Sequence, residues 1–422
     1  MHILFVTDNF PPETNAPASR TYEHVREWVE VGEQVTVLTC APNFPFGKVY
    51  QGYRNALLQT ETMDGIKVYR VWTYMAANQG FFRRTLDFVS FMVTAVLGSF
   101  RIQSPDVVVA TSPQFFAGLG GYIISKLKRR PFVFEVRDLW PESIEVVGLM
   151  RKGPLVRLLD GLTRYLYRHC DRLVAVGEGY KAQIQAKYHV PESKLAVIPN
   201  GVLFEHFSRQ GRRDQYREEL GWGNRFVVVY VGTHGMGQKL ETLLEAAQYI
   251  ADQNILFTFV GHGAEKEKLI RLKDQKDLQN CVFYPVQPKE QVPRFYEGAD
   301  ACIVALRKSE LFKGNYPSKM FEALSMACPV ILSGEGRSAE ILMASGGGLV
   351  VPPETPEALA EQVLYLREHP AEAAAMGERG RHYVQIHYSR RVWAQRYLGL
   401  LRRVTSGVNP ITGGAPRSRR AR

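Results

Sequence analysis

"FVVVYVGTHGMGQK", residues 226 to 239, decides the fold. Its first six residues are apolar without polar alternation and rich in valine, which suits a strand covered on both faces rather than one with a wet side. The run ends in Gly232, turns through Gly235 and Gly237, and feeds a helix-like stretch, "LETLLEAA" at 240–247. Strand, turn and helix in that order are the parts of a parallel sheet with crossover connections.

The same pattern recurs on both sides. Downstream come "ILFTFVG" (255–261), "VFYPV" (282–286), "ACIVAL" (301–306), "PVILS" (329–333) and "GLVVP" (348–352). An earlier series begins at the start of the chain: "HILFVTD" (2–8), "QVTVLTC" (34–40), "KVYRVW" (67–72), "DVVVATS" (106–112), "PFVFEVRD" (131–138) and "RLVAVG" (172–177). A chain of 422 residues exceeds what one core usually serves. The expected fold is therefore α/β, with two doubly wound Rossmann-like domains facing across a cleft. The expected divisions are a first domain at 1–200, a second at 201–385, a terminal helix at 386–403 crossing back to the first, and a disordered basic tail at 404–422. Turn signals and a charge-rich helix in "IPNGVLFEHFSRQGRRDQYREELGWGN" (198–224) mark the break.

Composition narrows the function. With 45% hydrophobic and 23% charged residues, the chain is not disordered throughout. The formal charge of +11 divides into +5 for residues 1–200 and +6 for residues 201–422, and the latter includes Arg402, Arg403, Arg417, Arg419, Arg420 and Arg422. Much of the excess thus belongs to the C-terminal end. No nucleic-acid-binding module is recognisable, and no nucleic-acid partner is expected. Five scattered cysteines without CxxC spacing read as buried thiols of a reducing compartment. The chain opens directly into strand pattern and its first cation is Arg20, so a cytoplasmic location is expected. "LDFVSFMVTAVLGSF" (86–100) is too short to span a bilayer. It reads either as a buried helix or as one whose Phe81, Phe82, Arg83 and Arg84 end touches the inner membrane surface.

In open α/β sheets ligands bind beyond the carboxyl ends of the strands, so the chemistry is sought there. A dinucleotide site is excluded: "TDNFPPETNAPASR" (7–20) has no glycine after the first strand, and "LTCAP" (38–42) has no acid after the second. The second half instead places Gly232 and Thr233, then Gly261 and Gly263, at strand ends, where backbone can approach a ligand closely. In "NYPSKMFEALSMACPVIL" (315–332), Pro317 fits a first helical turn. Ser318 and Lys319 then stand at a helix start, where dipole and ammonium favour a phosphate or diphosphate. Glu322, one turn on, suits the two hydroxyls of a ribose. The competing reading is a plain surface ion pair, against which stand the apolar neighbours Met320, Phe321, Ala323 and Leu324.

These segments resemble the GT-B glycosyltransferases of family 4 over nearly the whole chain. The resemblance is carried by "HILFVTDNFPPE" (2–13), "IPNGV" (198–202), "YVGTHGMGQKLETLLEAA" (230–247), "FVGHGAEKEKL" (259–269), "SKMFEALSMACPVI" (318–331) and "GGGLVVPPETPEALAEQV" (346–363). "FPPETNAPASRTYEH" (10–24), "APNFPFGKVYQGYRN" (41–55) and "RDLWPES" (137–143) are most similar to bacterial O-antigen and colanic-acid enzymes of the fucosamine-transferase type. The sequence departs from the family at three places. Asn15-Ala16 stands for the glycine pair of the first loop. Thr233 and Gln238 stand for the cationic phosphate clamp, with Lys239 one residue beyond. Gly314 stands for the first of two glutamates whose second is Glu322, leaving Lys313, Asn315 and Tyr316 to contact the donor sugar.

The resemblance implies a retaining transfer from a nucleotide-sugar, UDP-linked rather than GDP-linked, with the base held by backbone near Val286. The acceptor expected is a lipid-linked saccharide at the inner membrane face. Lys319 is the expected catalytic cation. Asp138, with Arg137 beside it, is the candidate for orienting hydroxyls; alternatively it caps the following turn. No D-x-D pair or histidine cluster with metal spacing is present, so neither metal nor cofactor is expected. A nucleotide-sugar 2-epimerase or a non-catalytic nucleotide-sugar-binding protein would share the architecture. Product analysis separates the first, and absence of donor turnover the second.

Overall fold

A computed structural model describes residues 1–44, 46–75, 81–112, 114–140, 153–251 and 253–407. The chain forms two compact units, one of Met1–Pro199 with the chain from Arg391 onward and the other of Asn200–Arg390.

The first unit contains β1 (His2–Val6), α1 (Ala16–Glu30), β2 (Gln34–Cys40), β3 (Leu58–Met63), β4 (Ile66–Val71), α2 (Phe81–Ser99), β5 (Val107–Thr111), α3 (Phe115–Lys128), β6 (Phe132–Val136), β7 (Arg172–Ala175) and β8 (Leu195–Val197). Its sheet runs in the order β3-β4-β2-β1-β5-β6-β7-β8. All pairs are parallel except β3 with β4. The six apolar runs read from the sequence fall on β1, β2, β4, β5, β6 and β7. Two strands escaped that reading, for physical reasons. β3, "LQTETM", is a polar antiparallel edge strand, and β8 has three residues at the opposite edge.

The terminal helix Arg390–Ser406 packs in this unit from Arg391 onward. Tyr397 packs edge-on against Trp28 of α1, and the Trp28 indole N–H donates to the Ala394 carbonyl at 2.8 Å. Arg391 and Arg402 pair with Glu27 and Glu33. Residues 404–406, expected in the tail, continue the helix. Residues 408–422 lie outside the described residues.

Beneath the sheet's carboxyl edge, Arg20 of α1 and Glu135 of β6 form an ion pair, each about 1% exposed. Arg20 Nη2 lies 3.2 Å from Glu135 Oε2 and 2.7 Å from the Ile198 carbonyl, while Nη1 donates to the Pro199 carbonyl at 2.9 Å. Burial alone would raise the Glu135 pKa, but Arg20, Arg137 and the Thr111 hydroxyl outweigh it and hold the carboxyl below its usual value. The stabilisation is therefore present above the usual glutamate range and lost as pH falls through the lowered pKa. Removing one partner leaves a buried charge uncompensated, so Glu135→Gln is expected to lower unfolding free energy by about 3–5 kcal/mol. Urea denaturation measures this, and a loss near zero would remove the pair from the core's energetics.

The second unit contains β9 (Phe226–Val231), α4 (Glu241–Tyr249), β10 (Ile255–Val260), β11 (Cys281–Tyr284), β12 (Ala301–Ala305), α5 (Ser318–Ser325), β13 (Val330–Ser333) and β14 (Gly348–Val351), among other helices. The sheet order is β11-β10-β9-β12-β13-β14, all parallel. Alternate residues of β9 enter different cores. Val227, Val229 and Val231 pack with Met320, Phe321 and Leu324, whereas Val228 and Tyr230 pack with Leu243, Leu244 and Ala247. The sheet is covered on both faces, as the unbroken apolar run requires. Val202 and the returning chain pair within this unit: Val202 N–H donates to the Tyr388 carbonyl and Arg390 N–H to the Val202 carbonyl.

All five cysteines are buried and unbridged. Among the described residues, no helix is long and apolar enough to cross a membrane. α2 is neither wholly buried nor wholly exposed. Phe91, Ala95 and Ser99 face inward, while Leu86, Val93, Leu97 and the adjoining Phe100 are 46–67% exposed. Arg83 and Arg84 are also exposed. The side chains of Phe81 and Phe82 lie outside what the structure describes.

Candidate active site

The site in the second unit is built on the carboxyl end of β9. Gly232 ends the strand at φ +135, in the region that favours glycine. A Cβ added there would lie 2.8 Å from Lys319 Nζ. The neighbouring Gly261, after β10, has φ +141, and a Cβ there would lie 2.1 Å from the Gly232 carbonyl oxygen. Two strand ends thus approach as bare backbone, with the Lys319 ammonium directly over the first. Gly263 comes equally close to the His234 backbone.

Lys319 is the second residue of α5. Pro317 stands one place earlier than expected: it is the N-cap, at φ −63 and ψ 120, and the first helical residue is Ser318. Its extended ψ sets the chain's entry to the helix. Among the described residues no side chain caps this end; Met320 N–H donates to the Pro317 carbonyl at 3.1 Å, and the helix dipole favours negative charge beside Ser318 and Lys319. Lys319 is partly buried, with Nζ 2.5 Å from the Tyr230 hydroxyl and 3.9 Å from the centre of that ring. Burial lowers its pKa to about 8, against the opposing pull of Cys302 and Glu322. Glu322 is also partly buried and accepts from the buried Tyr296 hydroxyl at 3.3 Å. A solvated surface ion pair is not what this environment makes of the two residues.

Around this centre the other residues singled out in the sequence take varied places. Thr233 is exposed, and its carbonyl accepts from the Tyr230 hydroxyl at 2.7 Å. Lys239 has φ +47 and lies 3.7 Å from Glu241 of α4. Gln238 Oε1 accepts from Gly235 N–H. Lys313 pairs with Glu310 at 2.5 Å. The Asn315 side chain accepts from the Tyr316 N–H, and the buried Tyr316 gives its carbonyl to Asn200. Val286, just beyond β11, is 50% exposed.

In the first unit, Asn15 caps α1 through Ala18 N–H at 2.9 Å. Pro17 has no N–H, Ser19 N–H bonds the Asn15 carbonyl, and Ala16 is exposed. That helix start has a side-chain cap, which the start of α5 lacks among the described residues. Arg137 and Asp138 follow β6, both donating backbone N–H to Ser112 Oγ, at 2.7 and 3.3 Å. Burial raises the Asp138 pKa to about 6, with Arg137 opposing. The turn it would cap runs into residues 141–152, outside the described residues. Among the described residues, no three His, Cys, Asp or Glu side chains gather as a metal-binding group.

Sequence reasoning missed three residues. Tyr230 sits inside an apolar strand and Tyr296 beside Phe295 on a short helix, where a phenol reads as core. His234 is fully buried, between the rings of Tyr230, Phe259 and Phe283, and among the described residues neither ring nitrogen has a hydrogen-bond partner. Burial first, then Lys266, Lys319 and His262, lower its pKa to about 3. Its only signal was position, directly after Gly232-Thr233.

Residues 15–201 match the family described as glycosyl transferase 4-like domain, and residues 212–383 match glycosyl transferases group 1. Together these are the two domains of a GT-B glycosyltransferase, and the chain belongs to that class. It is 26% identical over 397 residues to WcaI of Escherichia coli K12, assigned as a colanic acid biosynthesis glycosyl transferase, covering 90% of this chain and 96% of that one. Sucrose-phosphate synthase from Thermosynechococcus elongatus superposes with a TM-score of 0.80 at 17% identity, covering 97% of this chain and all of that one. Anabaena HepE in complex with UDP-glucose superposes at 0.73 with 16% identity, covering 95% of this chain and 99% of that one. These two likenesses show the fold.

Proposed function

We propose that this glycosyltransferase moves a sugar from a UDP-sugar to a lipid-linked saccharide in bacterial surface-polysaccharide synthesis, with retention of anomeric configuration and without a metal. The carrying observation is the Lys319 ammonium held over Gly232 at the uncapped start of α5, with Glu322 one turn along. Breaking a glycosyl–diphosphate bond puts negative charge on the leaving phosphate, and a preset cation with helix N–H groups stabilises that charge. Glu322, oriented by Tyr296, accepts the ribose hydroxyls. The UDP donor follows the family 4 resemblance and is favoured by HepE, which has been crystallised with UDP-glucose. The transferred sugar is read as an N-acetylated amino sugar, from the resemblance to fucosamine transferases, and the polysaccharide setting follows WcaI. The exposed apolar face of α2, beside Arg83 and Arg84, supports attachment to an anionic membrane surface, where a lipid-linked acceptor resides.

The test is a thermal-shift screen of nucleotide-sugars followed by product analysis with and without acceptor. Stabilisation by UDP-sugars and acceptor-dependent release of UDP are expected. Epimerised donor formed without acceptor would identify an epimerase, and binding without turnover a binding protein. Asp138 acts in this scheme as an ionised carboxylate that orients hydroxyls. Activity is expected to fall as pH drops through about 6, and Asp138→Asn is expected to lower kcat about tenfold to a hundredfold and erase that acid limb. An unchanged limb in the variant would assign it to another group.

A further inference from the structure

The tyrosine inside β9 has no counterpart in the chemistry described so far, yet it touches the cation on which that chemistry depends. Tyr230 is 1% exposed, and its one hydroxyl has two partners, the Thr233 carbonyl at 2.7 Å and Lys319 Nζ at 2.5 Å. A carbonyl can only accept, so the phenol hydrogen points to Thr233 and an oxygen lone pair faces the ammonium. The ring face adds a cation–π contact with the same nitrogen. A flexible lysine is thereby held at one place, above the Gly232 backbone, where even a Cβ on residue 232 would lie 2.8 Å from its Nζ.

We propose that Tyr230 is the positioning residue of the site: through its hydroxyl and ring it presets the Lys319 ammonium for the donor's diphosphate and ties it to the Thr233 carbonyl. The inference rests on the reading of Lys319 as the phosphate cation. Preorganisation gives it energetic sense. A lysine left free in solution loses side-chain freedom when it closes on a ligand, whereas this one has already lost it. His234 completes the arrangement, because an imidazole in contact with Tyr230 and near Lys319 would repel the cation if it were charged, and its buried setting keeps it neutral.

The charged and titratable groups around Lys319 are Tyr230 before Gly232, Cys302 on β12, Glu322 on its own helix, and His234, which is itself near Lys266 and His262. Burial holds Tyr230 above its usual pKa and Cys302 at about 12, and His234 titrates near 3, so none of these three changes charge near pH 8.

The experiment measures UDP affinity from pH 7 to 9, where a phosphate of second pKa about 6 is already ionised. It compares the wild type, Tyr230→Phe, Lys319→Met and the double variant. Tyr230→Phe keeps the ring and loses the hydroxyl, and circular dichroism with the melting temperature verifies folding. The wild type is expected to lose affinity as pH rises through about 8. Tyr230→Phe is expected to weaken binding about tenfold at pH 7 and to move the midpoint to lower pH, since the charged form has lost an acceptor. In the Lys319→Met background the tyrosine change is expected to add nothing, because its effect runs through the ammonium. An equal loss in both backgrounds, or an unshifted midpoint, overturns the positioning role. Should Lys319→Met itself leave UDP affinity intact, it is the donor-site reading that falls.

Discussion

Lys319→Ala is expected to lower kcat about a hundredfold to a thousandfold, the range seen when one preset charge-stabilising group is removed from a transition state. The effect on stability should run the other way or be absent. Burial already disfavours the charged form of Lys319, whose pKa falls to about 8, so the folded protein gives up no favourable solvation when the ammonium goes. Opposite signs for activity and stability separate a catalytic group from a structural one. Steady-state kinetics together with urea denaturation measure both, and turnover within threefold of wild type would dismiss Lys319 from the mechanism.

Glu322→Ala is expected to abolish stabilisation by UDP while the protein stays folded. A ligand at 100 times its dissociation constant adds about 2.7 kcal/mol to stability. Hydrogen bonds to a charged acceptor contribute about 1.5–3 kcal/mol each, so a carboxylate that accepts both ribose hydroxyls takes about two to four orders of magnitude of affinity with it and leaves little shift at the same UDP concentration. The unliganded variant should be slightly less stable, because the buried Tyr296 hydroxyl loses its acceptor. Glu322→Gln keeps an oxygen for Tyr296 and separates that packing effect from the ligand effect. A full UDP shift in the alanine variant would place the ribose elsewhere.

The fold class was legible because parallel strands buried on both faces write themselves as unbroken apolar runs. "FVVVYV" divides its side chains between two cores, and no alternation survives in the text. The same criterion is blind at sheet edges, where "LQTETM" pairs on one side only and carries polar residues, and where β8 is three residues long. At the site, Lys319 and Glu322 were legible as charges misplaced among Met320, Phe321 and Leu324. Tyr230 and His234 were not, since a phenol within a strand and an imidazole after a glycine carry no charge to betray them.

Local chemistry written along the chain was enough for the layered α/β architecture, the glycines that end the strands, and the helix start bearing Ser318 and Lys319. These depend on neighbours within a few residues, through periodicity, turn geometry and caps. What waited for the folded molecule was which atoms meet across long stretches of chain. Lys319 and Tyr230 are 89 residues apart, as Arg20 and Glu135 are 115, and only the sheet's strand order brings them within hydrogen-bonding reach. Burial, too, belongs to the assembled core, and it is burial that moves the pKa values of Lys319, Asp138 and His234 away from those of the same residues in water.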